Sequence, residues 1–177
     1  MQRPSPAELE DAVNRRIPDV IGPDLRVLFV GINPGLWSGA TGFHFARPGN
    51  RFWKAIHAAG LTPDLLSPDR QAELLGFALG ITNLVARTTA SAAELSADEL
   101  RAGGSLLVEK VERYRPRKVA LLGVSTFRVA FDQPAATVGR QSMLIAGAET
   151  WVLPNPSGLN AHYQLPQLAE AYRALLD

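Results

Sequence analysis

Two asparagines, Asn33 and Asn155, stand in closely similar settings. The first ends Val27-Leu28-Phe29-Val30-Gly31-Ile32-Asn33-Pro34-Gly35, and the second lies in Thr150-Trp151-Val152-Leu153-Pro154-Asn155-Pro156-Ser157-Gly158. In each, an apolar run enters a turn fixed by glycine and proline that carries one amide side chain. Backbone N–H groups of such a turn can point into a cleft. Turns at strand ends are where an open α/β sheet places its ligand, so the pair predicts one site assembled from both. Residues 41–54, Thr-Gly-Phe-His-Phe-Ala-Arg-Pro-Gly-Asn-Arg-Phe-Trp-Lys, mix rings with cations. Phe52 and Trp53 are expected in the core. Phe43 and Phe45 lie in a loop bounded by Gly and Pro, where a ring can stack on a nucleobase, and Arg47, Arg51 and Lys54 can hold phosphates. The polar loop Asn155 to His162 carries one apolar tip, Leu159, flanked by Ser157, Gly158 and Asn160. Such a tip can act as a wedge between base pairs.

Other chemistries are excluded. Gly31 to Gly35 is no dinucleotide fingerprint: Pro34 stands where flexibility is needed, and no helix is expected to open directly after the turn. It is no phosphate loop either, because Gly-Lys-Ser/Thr does not follow. His44, His57 and His162 lack metal-ligand spacing, so no metal is expected, and no cofactor. Ser125, in Gly123-Val124-Ser125, lacks the second glycine of a nucleophile elbow and reads as a helix cap. Arg113, Arg115, Arg117 and Lys118 read as a solvated edge. The chain has no cysteine, which removes disulfides, thiolate metal sites and a Cys nucleophile.

The elements that must position these residues follow from pattern. The 177 residues are 46% hydrophobic and carry a net charge of +1, as suits one domain with a substantial core rather than a coat for polyanions. Ser5-Pro6-Ala7-Glu8 starts a helix whose buried face would be Leu9, Val13 and Ile17. Strands are predicted over Arg26–Val30, Ile81–Val85, Lys118–Leu122, Met143–Ile145 and Trp151–Leu153, the last two joined through Gly147. Helices are predicted over Asn50–Ala59, from Ser67-Pro68 to Phe77, from the Ser96 capping box to Tyr114, over Ser125–Phe131 and over Pro166–Leu176. This alternation predicts a mostly parallel sheet with helices on both faces. The N-terminus has no apolar segment of signal-peptide type and no run is long enough to span a bilayer, so a cytoplasmic protein without membrane contact is expected.

Gly-Ile-Asn-Pro-Gly at 31–35, Thr-Gly-Phe-x-Phe-Ala-x-Pro-x-Asn-Arg-Phe-Trp at 41–53 and Leu-Pro-Asn-Pro-Ser-Gly-Leu at 153–159 together resemble the mismatch-specific uracil/thymine DNA glycosylases. The resemblance continues through Gly80-Ile81-Thr82-Asn83-Leu84-Val85, Gly103-Gly104 and Glu170-Ala171-Tyr172-Arg173. It implies a three-layer α/β/α sandwich of uracil-DNA glycosylase type, one domain over residues 1–177 with residues 1–22 as a helical extension packed on it. The implied activity is excision of uracil, and of thymine or other modified pyrimidines, opposite guanine in double-stranded DNA, leaving an abasic site. A monomer is expected.

By the same resemblance, Asn33 positions the attacking water. The backbone of Ile32 and Phe45 holds the flipped base, Phe45 also stacks on it, and Asn155 lines its pocket. Leu159 fills the gap in the duplex, and Gly158 and Asn160 touch the widowed guanine. Ser157, Arg47 and Asn83 are placed on the DNA. An amide cannot serve as a general base, so Asn33 can only orient water, and catalysis leans on hydrogen bonds to the departing base. Gly35 leaves room beside the pocket for a 5-substituent. No lysine lies in the motifs to attack the sugar, so no lyase activity is expected. The chain departs from some relatives at Asn160-Ala161-His162, where they carry Ser-Arg, and at Asn83, where one branch has a basic residue. The loop Arg87 to Glu94 offers no chemistry on sequence alone. A module that binds mismatched or damaged DNA without catalysis is the alternative from another class, and a small-nucleotide-binding α/β protein is a third.

Overall fold

The computed structural model describes residues 1–177. Five strands, β1 (Val27–Gly31), β2 (Leu79–Asn83), β3 (Lys118–Leu122), β4 (Gly139–Ile145) and β5 (Ala148–Leu153), form one sheet in the order β2-β1-β3-β5-β4. All pairings are parallel except the β4–β5 hairpin at one edge. Every residue of β1 is buried, as an apolar run covered on both faces requires. Its side chains alternate between two cores. Val27 and Phe29 join Phe52, Ile56 and Tyr172 on one face, while Leu28 and Val30 join Leu107, Val111 and Phe127 on the other. The first core is roofed by α3 (Phe52–Ala58) and α6 (Leu165–Arg173), the second by α4 (Ala97–Tyr114) and α5 (Val124–Ala130). The result is the α/β/α sandwich that the pattern predicts. The β1 and β5 turns open at the same end of the sheet but are not neighbours, because β3 stands between their strands.

Local signals explain most boundaries. The Ser96 hydroxyl accepts from Glu99 N–H at 3.1 Å and the Glu99 carboxylate accepts from Ser96 N–H at 3.0 Å, closing the capping box that starts α4. The same device starts α1 (Pro6–Asp11) at Ser5 and Glu8. The β4–β5 hairpin turns through Ala146 and Gly147, both at positive φ, as a two-residue turn requires.

Several expectations are corrected. A helix does open after the first turn: α2 (Leu36–Thr41) starts on Gly35 and ends at left-handed Gly42. Its six residues are too few to display a period, and Pro34 precedes the cap rather than interrupting the helix. The N-terminal helix closes at Asp11, so Val13 is 47% exposed and Ile17 half-buried. Ala12 is buried instead, its carbonyl accepting from the Thr88 hydroxyl. Ser125 caps nothing. The N-cap of α5 is Gly123, at φ +143, a backbone state that serine rarely adopts. Residues Pro68–Phe77 are 3-10 helical with a break at Arg70 rather than α-helical. β2 begins two residues before the expected Ile81, because Gly80 is not loop but a strand position with Leu25 and Val20 packed against it. β4 likewise begins at Gly139, ahead of Met143. Lys118 leaves the solvated edge: it donates to the Leu175 carbonyl at 3.0 Å, pairs with Glu149 at 3.7 Å and lies 5.7 Å from the Trp151 ring centre.

Candidate active site

A cavity of about 360 Å³ opens where the turns after β1, β2 and β5 converge. Asn33, Ile32 and Gly35 reach it from the first turn, Asn83 from the end of β2, and Asn155 and Ser157 from the turn after β5. Phe45 and Arg47 enter from the loop before α3. Arg47 is exposed, and its guanidinium bonds to no protein group. Gly158, Leu159 and Asn160 stand outside the cavity on the adjoining loop, with Leu159 79% exposed.

The orientation of Asn33 is dictated by its partners. Its Nδ2 donates to the Arg87 carbonyl at 3.0 Å, to Thr89 Oγ1 at 2.7 Å and to its neighbour's carbonyl at 3.3 Å. A carbonyl only accepts, and the Thr89 hydroxyl spends its own proton on the Ser91 carbonyl at 2.8 Å. The amide nitrogen must therefore face the protein, which leaves Oδ1 without a protein partner at the cavity. The segment that holds Asn33 is itself pinned. Thr89 N–H bonds to the Pro34 carbonyl at 3.2 Å, and the Arg87 guanidinium pairs with Glu99 at 2.6 Å. That arginine, with the N–H of Ser96, holds the Glu99 carboxyl at about 2.

Around Asn33 the cavity supplies donors and a platform but no base. The backbone N–H groups of Ile32, Asn33 and Phe45 make no hydrogen bond within the protein. Phe45 adopts φ +53, a conformation unusual for a non-glycine residue and a mark of functional loops. Its ring stacks on Phe52 with centres 4.1 Å apart and planes inclined by 24°, so it is braced from behind. No aspartate, glutamate or lysine lines the cavity. Its one histidine, His44, is buried with both ring nitrogens engaged, to Pro18 O at 2.9 Å and to Asn83 Nδ2 at 3.3 Å. Asn83 thus faces into the cavity rather than along the outer surface.

The loop after β5 is held from beneath by Arg51. Its guanidinium donates to the carbonyls of Tyr163 and Ser157 at 2.5 Å each, and of Asn160 at 3.0 Å. Arg51 is consequently not free to hold phosphate, in contrast to the expectation from its position among rings and cations. Asn155 accepts from Ser157 N–H at 2.9 Å through Oδ1, forming an Asx turn. Asn160 is engaged through all four polar groups: N–H to Ser157 O, carbonyl from Arg51, Nδ2 to Asn155 O and Oδ1 from His162 N–H. Gly158 lies so close to Gly49 that a Cβ would stand 2.8 Å from the Gly49 carbonyl. Tyr172, buried in α6, donates to the Pro154 carbonyl at 3.1 Å and fixes the base of the turn.

A family model for the uracil DNA glycosylase superfamily matches residues 18–176. The chain belongs to that superfamily. Among solved structures, this superfamily member is similar to the solution NMR structure of a "putative Uracil DNA glycosylase" from Methanosarcina acetivorans, with a TM-score of 0.62 at 18% identity over 93% of this chain and 99% of that one. At that identity the likeness speaks for the fold. In this glycosylase-superfamily chain the first and last motifs and Phe45 line one cavity. Two residues support the site without having been singled out for it, Thr89 and His44, and Arg51 supports it in a role other than the expected one. Arg51 sits inside a recognisable motif. Thr89 lies among small residues whose only signal is the carbonyl-and-hydroxyl environment they offer Asn33.

Proposed function

We propose that this protein is a monofunctional DNA glycosylase that removes uracil mispaired with guanine by hydrolysing the N-glycosidic bond, leaving an abasic site in double-stranded DNA. The observation that carries the reading is Asn33. Its nitrogen is committed to the protein and its oxygen is left to accept a hydrogen bond from a water at the cavity. The base, turned out of the stack at a cost of a few kcal/mol, lies on Phe45. Its carbonyl oxygens accept from the N–H groups of Ile32, Asn33 and Phe45. As the bond from the base to C1′ lengthens, positive charge grows on the sugar and negative charge on the base, and those donors stabilise the leaving anion. The water held by Asn33 adds to C1′ and its proton passes to solvent, since no carboxylate lines the cavity. Turnover is therefore modest and favours bases that leave well. With no lysine in the lining, no amine forms a covalent adduct with the sugar, and strand cleavage does not follow excision.

Leu159 occupies the gap left by the flipped nucleotide, and the free backbone groups of Gly158 face the widowed guanine, with Asn160 bracing the loop. Arg47 takes a flanking phosphate. Asn83 reads the edge of the base. A Cβ on Gly35 would meet nothing within 4 Å, and the same cavity is lined by the small residues Ala90 and Ala92. The pocket therefore admits thymine and other 5-substituted pyrimidines.

The test is excision from labelled duplexes with G:U, A:U or G:T pairs and from single-stranded uracil, read with and without alkali. Breakage only after alkali, fastest for G:U, is expected. Asn33→Ala should lower the excision rate by about 100-fold or more while leaving duplex binding intact. Equal binding without excision by the unaltered protein would point instead to a non-catalytic reader of mismatches.

A further inference from the structure

Asn83 meets the cavity with one end of its amide, and the identity of that end is decided elsewhere. His44 is 2% exposed and anchored on its main chain as well as its ring: its N–H donates to Gln71 Oε1 at 2.8 Å and its carbonyl accepts from Trp53 Nε1 at 3.1 Å. On the ring, Nε2 lies 2.9 Å from the Pro18 carbonyl. A carbonyl only accepts, so Nε2 carries the proton. Burial disfavours the imidazolium, so Nδ1 is a bare lone pair. The group 3.3 Å from it must then be the NH2 of Asn83. Asn83 Oδ1 is consequently turned the other way, beside Gly31 and the edge of Phe45. A Cβ on Gly31 would stand 2.6 Å from that oxygen and 3.3 Å from Phe45 Cζ. No protein donor reaches Asn83 Oδ1, and no buried polar side-chain atom of the molecule lacks a partner, so this oxygen opens to the cavity.

We propose that His44 is a positioning residue for base recognition. Through the tautomer imposed by Pro18 it locks Asn83 with a hydrogen-bond acceptor toward the pocket, and thereby selects bases that present an imide N–H at that edge. Uracil and thymine carry that donor at N3. Cytosine carries a lone pair there, which would face the lone pairs of Asn83 Oδ1. The inference rests on the reading that the cavity receives a flipped pyrimidine. The charged groups nearest the ring, Asp19 on the N-terminal segment and Lys110 on α4, are paired with each other and bridged by Thr82 Oγ1, which donates to Asp19 Oδ1 at 2.8 Å and accepts from Lys110 Nζ at 2.7 Å. Neither supplies Nδ1 with a proton.

The experiment compares excision of uracil with that of 3-deazauracil, in which C–H replaces N3–H, both opposite guanine in otherwise identical duplexes. The ratio of kcat/KM for the two bases is measured in the unaltered protein, His44→Gln, His44→Leu, Asn83→Ala and the His44→Leu/Asn83→Ala double variant. Gln can offer Nε2–H to Pro18 and Oε1 to Asn83 much as the ring does, whereas Leu removes both, so His44→Gln is the conservative variant and His44→Leu the disruptive one. The expected result is a ratio that falls about tenfold in His44→Leu and in Asn83→Ala, no further in the double variant, as a shared contact requires, and that is largely kept in His44→Gln. A loss of rate on both bases at an unchanged ratio in His44→Leu, or a ratio as low in His44→Gln as in Asn83→Ala, would overturn the proposal and leave His44 a merely structural residue. So would a ratio lowered by Asn83→Ala alone. If the unaltered protein excises neither base, the failure belongs to the glycosylase reading. If it excises uracil and Asn83→Ala leaves the ratio untouched, Asn83 does not read the base and His44 has nothing to position.

Discussion

An asparagine has two chemically opposite ends, and its usefulness in a hydrolytic site depends on which end is turned to the water. In Asn33 the choice is made by Thr89 and the Arg87 carbonyl, both of which can only accept from it. Removing the hydroxyl in Thr89→Ala deletes the shortest of these bonds and loosens the amide. Excision of uracil should then slow about tenfold with KM for the duplex unchanged, and Thr89→Ser should restore it; single-turnover rates at saturating enzyme check this. At Gly35 the chemistry is steric. Its φ of −78 suits any residue and its Cβ position is empty, so Gly35→Tyr should fold normally. A ring there should abolish excision of thymine and larger 5-substituted bases while retaining uracil, and an unchanged substrate range would remove Gly35 as the gate. These residues differ in how visible they were. Asn33, Phe45 and Leu159 were legible because each breaks a local rule, as an amide in a rigid turn, a ring in a loop or an apolar tip among polar residues. Thr89 and His44 break none. Their roles arise from atoms more than thirty residues away in sequence that only the fold brings within hydrogen-bond range.

The elements were legible in proportion to how locally they are determined. β1, β3, β5 and α4 have apolar runs or capping boxes that suffice on their own, and they lie within two or three residues of expectation. The short α2 and the 3-10 stretch at Pro68–Phe77 do not, because a turn or two of helix is held by what it packs on rather than by its own period. The loop after β5 is the extreme case: no regular structure, yet four carbonyls, those of Pro156, Ser157, Asn160 and Tyr163, converge on Arg51. Charge-assisted bonds of this sort outweigh neutral ones, and the loop presents Leu159 as a rigid element only because of them. Arg51→Met keeps the stem and deletes the donors. It should cost roughly 2 kcal/mol or more of stability. It should also raise KM for a G:U duplex about tenfold, because the wedge must then be ordered at each encounter, and leave KM for single-stranded uracil unchanged. Urea melts and parallel kinetics on the two substrates check both parts. An equal loss on both substrates would mean that Arg51 serves the cavity and not the wedge.

At the scale of the whole molecule, near-neutral charge and a buried neutral histidine set how the protein responds to its medium. A net charge of +1 leaves DNA binding to few cations. Arg47→Gln should therefore lower the slope of log K against log salt by about 0.9, one released counterion, a shift visible in a salt titration of duplex binding. The pH response follows from His44. Burial holds its folded-state value below the ordinary 6.5, so between those two values the unfolded chain binds a proton that the folded chain does not. Stability must then rise with pH across that window and fall as pH is lowered from about 6.5. The carboxyls of Glu8, Asp69, Glu73 and Glu99 are all held low by hydrogen bonds. Their contributions are complete above about 4.5 and are lost only in stronger acid, so they do not obscure the histidine window. Urea midpoints at pH 5.5 and 7.5 should thus differ in favour of the higher pH, and His44→Gln should flatten the difference by removing the titrating ring. A slope that survives His44→Gln would assign the linkage to another group. The same proton would unseat Asn83, because an imidazolium offers Nδ1–H where the amide now donates. Acid should therefore weaken the fold and the orientation of the pocket together, through one buried ring.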